Sequence, residues 1–163
     1  MRLRTYFICI SAIVLGACSS SEEKSRFENQ LDLMEYGVPI KIFTPTDVNV
    51  HNRSDNIMQD LSVVGKNYFV QIYSQTASSL DCKKISERAL DENKTTNITF
   101  KELIKKDDCG FLYSVQAEGD SIVCYNFEHY KVLGNKSYKF TCTTAQLKPF
   151  SLKTIEKIYN SVQ

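Results

Sequence analysis

Apolar and polar positions alternate with a period of two along much of this chain, and that alternation predicts a sheet. In "VPIKIFTP" Val38, Ile40 and Ile42 share one face, opposed by Pro39, Lys41 and Phe43, and Pro45 ends the run. "LSVVGKNYFVQIYS" gives two strands around Gly65 and Lys66, with Phe69 and Val70 opening the second. "ITFKELI", "GFLYSVQ", "SIVCYNFEHYKVL" and "KSYKFTCTT" are further strand-like stretches. "AEGD" and "GN" stand between consecutive stretches as turns, which predicts an antiparallel meander.

Three segments change period. Cys82, Ile85 and Ala89 recur at i, i+3 and i+7 in "SSLDCKKISERALDENK", with Ser79 or Asp81 as N-cap and Asn93 as a stop, so a helix is expected over the sheet. In "PFSLKTIEKIYNSV" Ser151 is a plausible N-cap and Phe150 and Ile155 form a hydrophobic staple. Ile155, Ile158, Tyr159 and Val162 make one apolar stripe there, predicting a closing helix. Phe27, Leu31 and Met34 at i, i+4 and i+7 predict a short amphipathic helix before the domain. The fold class is therefore α+β: an antiparallel sheet of about six or seven strands with a mid-chain helix and a C-terminal helix packed on it.

Composition agrees with one globular domain. The chain has 163 residues, 42% hydrophobic and 24% charged, with nine Tyr, nine Phe and no Trp. The formal charge of +1 and the mixing of lysines with acids leave no basic patch for nucleic acid.

The first residues follow another logic. Arg2 and Arg4 precede an apolar stretch from Tyr6 to Ala17, too short for the roughly 20 residues that a membrane-spanning helix needs. Leu15-Gly16-Ala17-Cys18 resembles the lipobox of bacterial lipoproteins. That resemblance implies cleavage before Cys18, a diacylglyceryl thioether on its sulfur and an amide-linked acyl chain on the new amino terminus. It divides the chain into a signal peptide (1–17), a lipidated cysteine with a polar tether (18–35) and a single domain (36–163). Two or three acyl chains hold a protein to a bilayer effectively permanently. Loss of Arg2 and Arg4 with the leader turns the formal charge from +1 to −1. Ser19 after the cysteine matches the sorting pattern for the outer membrane, and "SSSEEK" resembles the surface-export signal of Bacteroidetes lipoproteins, leaving periplasmic and surface-facing leaflets both open. The partner implied is the lipid bilayer.

A second resemblance covers about residues 36 to 162. The "YGVPIKIFTPTDVNV" opening, the helix after "YFVQIYS", the meander and the "FSLKTIEKIYNSV" helix are similar in order to the PsbP-like fold of photosystem II extrinsic subunits and small bacterial lipoproteins. It implies scaffolding or assembly work, although fold alone does not fix function.

With Cys9 in the leader and Cys18 acylated, Cys82, Cys109, Cys124 and Cys142 remain, an even number suited to disulfides in an oxidising compartment. Four cysteines allow three connectivities. Cys124 with Cys142, flanking the Gly134-Asn135 turn, and Cys82 with Cys109 are preferred. The first pairing carries a difficulty, because a two-residue turn sets position 142 against Phe127 and turns Cys124 to the other face. A bulge would repair it. Gaps of 27, 15 and 18 residues, with no CxxC and no His pair, argue against zinc.

No GxGxxG, Walker A, HExxH or GxSxG motif occurs, and no cofactor is implied. His51 and His129 are single histidines in polar surroundings and read as surface residues rather than catalytic ones. Glu128 beside His129 suggests no acid–base pair, since neighbours on a strand face opposite ways, and the Asp107-Asp108 step before Cys109 is ordinary loop chemistry, so no carboxylate pair emerges. Tyr125, Phe127, Tyr130, Tyr138 and Phe140 read as cross-strand packing, with Tyr130 and Tyr138 as the candidates for an exposed stacking contact to a glycan or peptide. Asn52, Asn93, Asn97 and Asn135 sit in N-x-S/T, idle in a bacterium. Asp120-Ser121-Ile122 resembles the Bacteroidetes O-glycosylation site, which would place sugar on Ser121. The function expected is a non-enzymatic envelope module for a protein or glycan partner; the alternative is a periplasmic enzyme with a non-local site.

Overall fold

Every second residue of "YFVQIYS" is buried, with Tyr68, Val70, Ile72 and Ser74 on one face, and this strand is an interior strand of a seven-stranded sheet. A computed structural model describes residues 27–55, 57–142 and 149–163. The leader, the lipobox with Cys18, the first part of the tether and the end of the "KSYKFTCTT" stretch lie outside the described residues. In chain order the elements are β1 (Asn29–Asp32), a single 3-10 turn (Met34–Tyr36), β2 (Lys41–Thr44), β3 (Val48–Asn52), β4 (Gln59–Gly65) and β5 (Tyr68–Thr76). Then follow α1 (Cys82–Thr96), β6 (Phe100–Lys106), β7 (Gly110–Val115), β8 (Cys124–Leu133), β9 (Lys136–Thr141) and α2 (Leu152–Ser161).

The large sheet is antiparallel in the order β3-β4-β5-β9-β8-β7-β6, and β1 with β2 makes a separate two-stranded sheet. Two meanders meet at its centre. The chain runs β3 to β5, crosses through α1 to the far edge, and returns through β6, β7 and β8 until β9 pairs with β5. The class is α+β, with the mid-chain helix on one face of the sheet and the C-terminal helix on the other.

Two cores follow from that layering. Beneath α2 and the β1–β2 hairpin lie Leu61, Val70, Ile72, Leu112, Phe127 and Phe140, met by Ile155, Ile158, Tyr159 and Val162 of the expected stripe, all without exposure. Burying an aliphatic side chain of this size contributes about 1.5–3 kcal/mol, so the stripe is what seats α2. Ser151 caps it, accepting from the Thr154 amide at 3.3 Å. Beneath α1 lie Phe111, Tyr113 and Tyr130, packed on Ile85 and Leu90. Asp81 rather than Ser79 is the N-cap, accepting from the Lys83 amide at 2.9 Å, and the helix runs past Asn93 to Thr96.

Several expectations are corrected. Residues 29–32 are strand rather than helix, because β1 pairs with β2 from Asn29–Thr44 to Asp32–Lys41 and this tertiary pairing overrides the helical spacing. Leu33 is fully buried, so the fold begins before residue 36 and part of the stretch assigned to the tether belongs to it. Cys82 and Cys109 form a disulfide, with Cα atoms 5.1 Å apart. Cys124 and Cys142 do not pair with each other, since the Gly134-Asn135 turn pairs Leu133 with Lys136 and Glu128 with Thr141 and no bulge interrupts that ladder; among the described residues both are free. Cys142 points into the α2 core while Cys124 faces the other way, and burial pushes the Cys142 thiol up to about 12.

Candidate functional site

The site begins in a mismatch of strand lengths. β7 stops at Gly110, which pairs with His129, and the last bond between the two strands is Tyr130 N–H to the Cys109 carbonyl at 2.8 Å. The chain then reverses: the Asp107 amide donates to the Gly110 carbonyl at 3.0 Å, and the Cys109 amide donates to Asp107 Oδ1 at 3.0 Å. β8 continues three residues further, paired only with β9 through Lys131–Tyr138, Val132–Ser137 and Leu133–Lys136. Beside that overhang lies an open groove of about 650 Å³. Its lining joins Val132, Leu133 and the Cys82–Cys109 bridge with the polar side chains of Lys105, Lys131, Asp107, His129 and Gln163.

Position explains the chemistry of each side chain. His129 is only 6% exposed, a correction to the surface assignment, because β8 is covered on both faces. Its ring lies edge-on to Tyr159 at 5.9 Å, and among the described residues Nδ1 has no hydrogen-bond partner. Burial holds its pKa down at about 4, with the Asp107 charge opposing and Lys131 reinforcing, so the imidazole is neutral at pH 7. Asp107 is fully engaged: Oδ2 accepts from the Tyr159 hydroxyl and from Gln163 Nε2 at 2.8 Å. It makes no hydrogen bond to His129, so the two are not an acid–base dyad. Lys105 Nζ stands 5.2 Å from the centre of the Tyr159 ring and bonds Asn160 Oδ1 at 3.3 Å, while Lys131 Nζ stands 5.9 Å from that of Phe140. Desolvation lowers the Lys131 pKa.

Gly110 makes this packing possible. A Cβ there would lie 2.6 Å from Tyr159 Oη, 2.7 Å from His129 Nδ1 and 2.8 Å from the Glu128 carbonyl. Only glycine fits.

On the other face of β8 a second, smaller cleft of about 250 Å³ is polar. Glu128, 5% exposed, accepts from the Tyr130 hydroxyl at 2.5 Å, from Lys139 Nζ at 2.6 Å and from Asn93 Nδ2 at 3.4 Å. Its charge is thus matched and hydrogen-bonded, the condition for burying a carboxylate. The cluster ties α1 to β8 and β9. Burial first, then the neighbouring carboxylate, drives the Tyr130 pKa upward.

Tyr130 and Tyr138 are therefore no stacking platform: they are 4% and 3% exposed and belong to different cores. Ser121 is exposed just after the turn closed by the Asp120 amide to the Ala117 carbonyl. His51 is exposed on the edge strand β3. Of the groove residues, the sequence marked the bridge cysteines, and named His129 and Asp107 without placing them together. Lys105, Lys131 and Gln163 were missed. One signal for them was present: a 13-residue strand-like stretch beside one of seven leaves an overhang.

Among the described residues, no group of three or more His, Cys, Asp and Glu side chains is placed to hold a metal ion, and no helix is long and apolar enough to cross a membrane. Compared with family models, curated proteins and solved structures, the chain matches none.

Proposed function

We propose that this chain is a membrane-anchored bacterial lipoprotein whose domain is a non-enzymatic binding or assembly module of the cell envelope. The anchor rests on the resemblance of Leu15–Cys18 to a lipobox, and the Cys82–Cys109 bridge suits the oxidising compartment such a protein enters. The observation that carries the binding role is the groove at the β8 overhang. It is open and partly apolar, and Asp107 is already committed to Tyr159, Gln163 and the Cys109 amide, while Asp108 makes an exposed ion pair with Lys83 at 3.5 Å. A site for acid–base chemistry needs such groups turned toward a substrate.

Two measurements test this reading. Cys18→Ala is expected to move the chain from the membrane to the soluble fraction, and an unchanged membrane fraction overturns the anchor. A photocrosslinker at Leu133, 43% exposed at the groove, is expected to trap an envelope protein or glycan in intact cells. Absence of any adduct overturns the binding role.

A further inference from the structure

The binding-module reading leaves the ligand of the groove open, and the backbone of β8 narrows it. In an antiparallel hairpin closed by a two-residue turn, the residues flanking the turn exchange hydrogen bonds, and every second pair after them does the same. Leu133, Lys131 and His129 therefore direct their backbone groups at Lys136, Tyr138 and Phe140 of β9. Tyr130 and Val132 direct theirs to the opposite side. Tyr130 N–H meets the Cys109 carbonyl there. Val132 faces the groove, where β7 has already ended, so among the described residues no strand stands opposite its N–H and C=O.

We propose that an extended peptide segment bearing a carboxylate adds to β8 along Lys131–Leu133, in the place that β7 leaves vacant. A donor and an acceptor on one residue, presented in the plane of a sheet, are matched together by the backbone of another strand. Three overhanging residues span about 10 Å at ~3.3 Å per residue, enough for one closely bonded pair and its neighbours.

The carboxylate follows from charge. Asp107 is engaged within the fold and Asp108 stands in an exposed ion pair with Lys83, whereas among the described residues neither Lys105 nor Lys131 makes an ion pair. Both ammonium groups instead rest over aromatic rings on the α2 side of the groove. A peptide residue opposite Val132 shares its face and meets the disulfide, and the residues on either side of it meet the lysines. An apolar residue flanked by an acidic one fits both.

The test starts from a random hexapeptide display library panned on the full chain. A recovered sequence is then synthesised and titrated into the isotopically labelled full chain. The Val132 amide is expected to shift and to gain protection from exchange. Methylating alternate peptide nitrogens is expected to weaken binding at least tenfold, and Lys131→Glu about tenfold, with the rest of the spectrum unchanged. Recovery of no peptide, binding that leaves Val132 unmoved, or a methylated peptide that binds as well overturns the proposal, as does self-pairing of two chains through this edge. The two readings fail separately. A glycan trapped at Leu133 with no peptide recovered refutes the peptide and keeps the module, whereas peptide binding by a chain that Cys18→Ala leaves in the membrane fraction refutes only the anchor.

Discussion

The hydroxyl of Tyr159 donates to the carboxylate of Asp107, joining the last turn of α2 to the β6–β7 turn that closes the groove. A hydrogen bond to a charged group contributes about 1.5–3 kcal/mol. Tyr159→Phe keeps the ring in the core and removes that bond, while Gln163 and the Cys109 amide still hold Asp107. Urea denaturation should show a loss of about 1.5 kcal/mol, the low end of that range. An unchanged midpoint would mean that the contact contributes nothing.

His129 makes stability depend on pH. Its pKa in the fold, about 4, lies below the ordinary 6.5, so the unfolded chain takes up this proton first as pH falls. Its contribution is complete above about pH 6.5 and is lost toward pH 4, amounting to about 3 kcal/mol for a shift of this size. His129→Leu should flatten the decline between those limits relative to the wild type. Parallel curves would show that the histidine is not the titrating group.

Gly110→Ala places a methyl group against the Glu128 carbonyl as well as against Tyr159 and His129. Two of these neighbours are side chains packed in the core and the third is backbone, so none yields readily. Overpacking of this kind costs about 1–3 kcal/mol, and thermal melts should place the variant near the upper end.

Lys139→Met removes the cation from a carboxylate that stays buried. Because Lys139 is itself partly exposed, a loss of about 2 kcal/mol is expected, below the 3–5 typical of a fully enclosed pair. Glu128→Gln, which keeps an acceptor for Tyr130, should cost less. The double variant should be less destabilised than the sum of the two, with a coupling of about 1 kcal/mol in a double-mutant cycle.

The cysteines give a chemical test. Peptide mapping of unfolded, unreduced protein should recover residues 82 and 109 linked, and 124 and 142 alkylated. In the folded protein Cys142 should resist labelling, being buried with its thiol pushed up to about 12. Cys82→Ala with Cys109→Ala should lower stability by about 3.5 kcal/mol, the chain-entropy value for a loop with a separation of 27.

The sheet and α2 were legible because one face of each is buried and the other is not. The stripe of Ile155, Ile158, Tyr159 and Val162 has no other use than to meet a core. β8 hid more. Phe127, Glu128, His129 and Tyr130 are consecutive and all buried, since α2 covers one face and α1 the other, and there polarity no longer reports exposure. That is why His129 read as a surface residue and Tyr130 as a candidate contact. The Phe27, Leu31, Met34 spacing failed for a different reason: a strand edge was waiting at β2, and Met34 ended 60% exposed.

The groove was unreadable residue by residue, because it is made by where one strand stops and its neighbour does not. The cysteine pairing shows the same dependence on register. Cys124 and Cys142 sit close to one hairpin, yet the two-residue turn sends their side chains to opposite faces. The Cys82–Cys109 pairing was open to reasoning because α1 lies over the β7 end of the sheet.

β6, the outermost strand beyond β7, pairs with it irregularly, slipping between Phe100 and Glu102 and again between Leu103 and Lys105, and it carries Lys101, Lys105 and Lys106. Many copies confined at high density collide flank to flank. A straight, uncharged flank would let such collisions zip into fibrils, but a kinked one studded with ammonium groups makes them unproductive, so crowding need not become aggregation.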